Sequence, residues 1–142
     1  MFPTTHFHPL LVHFPIALLL VGFLAEVVAL FYKKEICLTK FGFYLLIVGT
    51  LAAIVTWLSG ILFTAEMEGA AGQLRDRHEF MALTTVILAA ITSVLRFYLV
   101  RQKREKTGLK KLAFILYAIT AACVGITGFF GGNLVYSFMM PF

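Results

Sequence analysis

The chain has 142 residues, of which 61% are hydrophobic and only 13% charged, with a net charge of +5 and a mean hydropathy of +0.93. Soluble domains carry about 25% charged residues, and so few charges leave too little polar surface to cover a globule in water. A soluble enzyme domain, a disordered chain and a nucleic-acid binder are thereby excluded, and the class is integral membrane protein.

A membrane-crossing helix needs about 20 mostly apolar residues, and four runs qualify, at 9–32, 41–64, 80–100 and 112–130. The first run has no basic residue before Lys33 and is too long for a cleavable signal segment, so it is expected to stay as a span. Lys33, Lys34, Glu35 and Lys40 separate it from the second run, the polar stretch from Glu66 to Glu79 separates the second from the third, and 101–111 separates the third from the fourth. Backbone groups in lipid must bond within their own segment, so each run is predicted to be a helix. Short links make neighbouring helices antiparallel. The expected fold is all-α: one transmembrane domain over 1–142, an up-down-up-down four-helix bundle. A two-fold likeness between helix pairs 1–2 and 3–4 is left open by the sequence.

Orientation follows from Lys and Arg in the short loops. The first and third loops are strongly basic, whereas Arg75 and Arg77 in the middle loop are balanced by Glu66, Glu68 and Asp76. The basic loops are expected in the cytoplasm, with both termini and the middle loop on the outer, periplasmic side of a bacterial inner membrane.

All four histidines fall on that outer side. His6 and His8 precede the first span, His13 lies about one turn inside it, and His78 opens the third. Polar residues in a membrane are costly and mark candidate functional sites. His13 and His78 come from different helices at similar depth, and two opposed imidazoles are what a six-coordinate b-type haem requires, with ring nitrogens roughly 4 Å apart. Gly49, Ala53, Thr56 and Gly60 share one face of the second span, and Ala121, Gly125, Gly128 and Gly132 one face of the fourth. Such faces let helices back away from a flat macrocycle, which makes Gly60, Gly128 and Gly132 candidate haem contacts; they equally serve ordinary close packing of membrane helices. Pro15 cannot donate to the carbonyl of Leu11, a distortion expected to turn His13 inward. His8 stands about 140° from His13 around a regular helix and is read as a spare or supporting group. Glu26 and Arg96, near the other end, are expected to pair, or else to reach water separately.

The stretch His8-Pro9-Leu10-Leu11-Val12-His13-Phe14-Pro15-Ile16-Ala17, His78, and Gly131-Gly132-Asn133-Leu134-Val135-Tyr136 together resemble the signature of a bacterial four-helix membrane family, domain of unknown function 2231. The likeness covers nearly the whole chain. It implies the four-helix architecture and the choice of histidines, and it implies a haem-binding or redox-associated membrane protein.

The leading expectation is a membrane b-type cytochrome, with haem b held near the outer face by His13 and His78, exchanging single electrons with a quinone or a periplasmic protein. One alternative is a copper or zinc site using His6, His8, His13 and His78, since imidazole suits both metals. The other is a cofactor-free structural or accessory subunit. Homo-oligomer formation is open, and no Ser-His-Asp set or phosphate loop is present.

Overall fold

Backbone polar groups in lipid can be satisfied only within the segment that carries them, and each apolar run folds accordingly. The computed structural model describes residues 7–32, 36–64, 66–102 and 108–139, and among these the regular structure is helical. A short helix α1 (Phe7–Leu11) runs through a turn at Val12 into α2 (His13–Phe31). Then come α3 (Ile36–Phe63), α4 (Gly69–Arg101) and α5 (Gly108–Leu134), which ends in a π-helical turn at Val135–Met139. Four segments are long and apolar enough to cross a membrane: His8–Phe31, Ile36–Phe63, Gly69–Arg101 and Gly108–Phe138.

The helices outrun the apolar windows. At 33 residues, α4 is about 50 Å long, against a hydrocarbon core of about 30 Å. Its first turns, Gly69-Ala70-Ala71-Gly72-Gln73-Leu74-Arg75, belong to the stretch expected as loop. Ala, Gln, Leu and Arg are good helix formers, so the helix continues past the point where hydropathy fails. Gly69 makes the turn into α4 with φ +63°, a conformation that strains any residue bearing a Cβ.

Packing follows the chain. α2 lies chiefly against α3 and α4 against α5, while α3–α4 and α2–α5 close the ring. The outer surface is apolar, with Leu24, Leu51, Ile91 and Ile115 exposed, as suits contact with lipid. The interior is comparatively polar. Leu19, Leu46, Tyr117 and Val124 form the apolar centre, and around it Thr50, Thr56, Ser59, Thr85, Thr92, Ser93 and Thr120 are buried. Most of these hydroxyls donate to a carbonyl one turn back, as Thr50 does to Leu46 (2.8 Å) and Thr120 to Leu116 (2.8 Å). Several also reach a neighbouring helix: Thr50 to Ser93 at 2.8 Å, Thr85 to Thr127 at 3.1 Å and Thr92 to Thr120 at 3.5 Å. Without a hydrophobic drive between helices in lipid, such bonds and small-residue contacts hold the bundle together.

Candidate functional site: a pair of seated imidazoles

The site begins with a proline. Pro15 has no N–H, so the carbonyl of Leu11 loses its helical donor. The Thr56 hydroxyl of α3 supplies one instead, at 3.3 Å, and this ties the end of α1 to α3. His8 then lies half-buried against α3. Its Nδ1 stands 3.1 Å from the Thr56 carbonyl and 2.9 Å from Ser59 Oγ, while the Ser59 hydroxyl itself donates to the Thr56 carbonyl at 2.6 Å. A carbonyl only accepts, so Nδ1 is the protonated nitrogen and the Nε2 lone pair is left available.

His78 on α4 repeats the arrangement against α5. Its Nδ1 donates to the Thr127 carbonyl at 3.0 Å, which again leaves Nε2 as the basic nitrogen. Each ring rests on a glycine four residues beyond its threonine. A Cβ at Gly60 would lie 3.0 Å from His8 Cε1, and a Cβ at Gly131 would lie 3.0 Å from His78 Cε1. The rings face each other edge-on, centroids 6.1 Å apart and planes at 77°.

The imidazole found beside His78 is therefore that of His8, whereas His13 is exposed. The sequence expectation that Pro15 would turn His13 inward is corrected. The proline instead frees the carbonyl that anchors the preceding turn, and the 140° between the two histidines leaves His13 on the outer face. His6 lies outside the described residues. Gly60 is at the site as a seat for an imidazole. Gly128 receives the Ile16 side chain, its Cβ position 3.0 Å from Ile16 Cδ1, and Gly132 has nothing within 4 Å. Among the described residues no three of His, Cys, Asp and Glu stand together as a metal cluster.

Thr56, Ser59, Thr127 and Gly131 complete the site and were not singled out as site residues from the sequence. The signal for them was the shared spacing Thr56…Gly60 and Thr127…Gly131. At the far end of the bundle Arg96 Nη2 donates to Glu26 Oε1 at 2.5 Å, both residues buried, so of the two arrangements open from the sequence the pairing is the one found. Cys37 and Cys123 are free thiols.

Four helices of membrane-crossing length, closed around two imidazoles tied back by backbone carbonyls, define a helical-bundle membrane protein with a two-histidine centre at one end. The chain belongs to the family described as predicted membrane protein (DUF2231), whose model matches residues 4–140. No curated protein and no solved structure matches it.

Proposed function

We propose that the protein is a b-type cytochrome of the bacterial inner membrane, with a haem iron held between His8 and His78 near the outer face. In this reading His8 takes the place that sequence reasoning gave to His13. The observation that carries it is the imidazole pair, 6.1 Å between centroids, each with Nδ1 committed to a carbonyl. Two imidazoles bound at about 2 Å to one metal ion place their centroids about 6 Å apart. A hydrogen bond from the far nitrogen to a carbonyl is the usual way a protein fixes the tautomer and orientation of a ligating histidine and raises its basicity.

The donor set favours haem over copper or zinc. Zinc sites take three or four protein ligands, whereas a porphyrin supplies four donors and asks the protein for two axial ones. Bound haem supplies one-electron oxidation and reduction. Thr56, Ser59 and Thr127 hold the rings so that neither must reorient when the metal charge changes. A site at one end of the bundle exchanges electrons with a quinone in the membrane or with a protein at the outer surface, and does not by itself carry charge across the bilayer.

The test is haem content. Protein purified from haem-replete cells is expected to carry one b-type haem per chain, with a sharp Soret band and split visible bands on reduction. Folded helical protein that lacks haem and takes none up on titration overturns the reading.

A further inference from the structure

The two histidines and the Glu26–Arg96 pair lie at opposite ends of the bundle, and both are separated by the same 70 residues in sequence. The same offset carries four of the five buried residues of α2 onto buried residues of α4: Pro15 onto Thr85, Leu19 onto Ala89, Gly22 onto Thr92 and Glu26 onto Arg96. One residue more carries α3 onto α5: Gly42 onto Ala113, Leu46 onto Tyr117, Gly49 onto Thr120, Thr50 onto Ala121 and Ala53 onto Val124, all buried. It also carries Thr56 and Gly60, which seat His8, onto Thr127 and Gly131, which seat His78. Thus α1–α3 and α4–α5 are two helical hairpins of one design. In a two-fold interface, residues near the axis meet their own equivalents. His8 meets His78, and Glu26 meets Arg96, so both ends mark one axis running along the bundle.

Two identical hairpins would bring like charges together at the second of these points. The chain carries a carboxylate on one hairpin and a guanidinium on the other, in an interior of low dielectric where like charges repel strongly. We infer that the protein is a fused two-fold pair of hairpins, and that Glu26 and Arg96 decide which hairpin accepts which. The inner face of each takes a hairpin bearing the opposite charge and rejects its own kind in another chain. Specificity of this sort rests on the penalty for the wrong pairing as much as on the gain from the right one. Of the departures from the repeat, Ser93 against Phe23 bonds to Thr50, while Ser59 against Phe130 lies beside His8, 2.9 Å from its Nδ1, and leaves the Thr–Gly seat common to both histidines.

Charge reversal in the full chain tests the inference, read as monomeric folded fraction in detergent after a fixed heating step. Glu26→Arg and Arg96→Glu alone are each expected to lower that fraction about tenfold or more, because each leaves like charges buried together. The double reversal is expected to return it to near the wild-type value, since the two positions are equivalent. A double reversal as damaged as either single change overturns the equivalence. A second variant, Glu26→Gln with Arg96→Gln, removes the penalty on like-with-like pairing. At high protein concentration it is expected to form dimers in about tenfold greater proportion than the wild type. A neutral pair that folds and stays as monomeric as the wild type overturns the selecting role, a result that an ion pair serving stability alone would give.

Discussion

Individual side chains in this bundle are placed by what a single atom would meet. Tyr117 is 1% exposed, and its hydroxyl has no hydrogen-bond partner among the described residues. It points at Gly22, where an added Cβ would sit on the hydroxyl itself and 2.9 Å from Leu45 Cβ. Gly22→Ala is therefore expected to destabilise by about 2 kcal/mol through overpacking. Tyr117→Phe gives up no hydrogen bond and is expected to be neutral or stabilising. Combined, the two changes should cost less than Gly22→Ala alone, as thermal unfolding in detergent would record. By contrast Gly125 has nothing within 4 Å of its Cβ position. Gly125→Ala is expected to stabilise α5 by up to about 1 kcal/mol through helix propensity.

Among the elements, the junction of α1 and α2 depends most directly on its hydrogen bonds. Pro15 leaves the Leu11 carbonyl without a helical donor and Thr56 supplies one. Thr56→Val keeps the carbonyl that holds His8 but removes that donor. It is expected to cost about 1 kcal/mol and to increase proteolysis between α1 and α2, while α3–α5 stay protected. The four helices were legible from hydropathy, because lipid permits no other local structure for such runs. The limits of α4 were not, because its first turns are polar and their helicity comes from propensity. The pairing of His8 with His78 was also missed. Depth drew attention to His13, but face decides which ring enters the bundle. His8, Pro15, Leu19, Gly22 and Glu26 follow the same helical spacing as His78, Thr85, Ala89, Thr92 and Arg96, and His13 falls off that stripe. The repeat is faint in sequence because burial and position are kept but residue type and size are not, with Gly matched by Thr and Leu by Tyr at equivalent points.

At the scale of the whole molecule, a polar interior is held inside an apolar surface, with an imidazole pair at one end and an ion pair at the other. Arg96 is 3% exposed and Glu26 6%, and breaking such a buried pair from one side strands a charge. Glu26→Gln is expected to cost about 3 kcal/mol, measured as a loss of folded monomer on heating, with the spectrum of the protein that remains folded unchanged. Under the two proposals made above the ends have separable roles, assembly at one and electron transfer at the other. The visible spectrum of four proteins decides most directly whether His8 and His78 hold a haem. The wild type and His13→Ala are expected to show the same low-spin bands, while His8→Ala and His78→Ala each lose or alter them. Bands that survive in His8→Ala but vanish in His13→Ala would contradict the assignment.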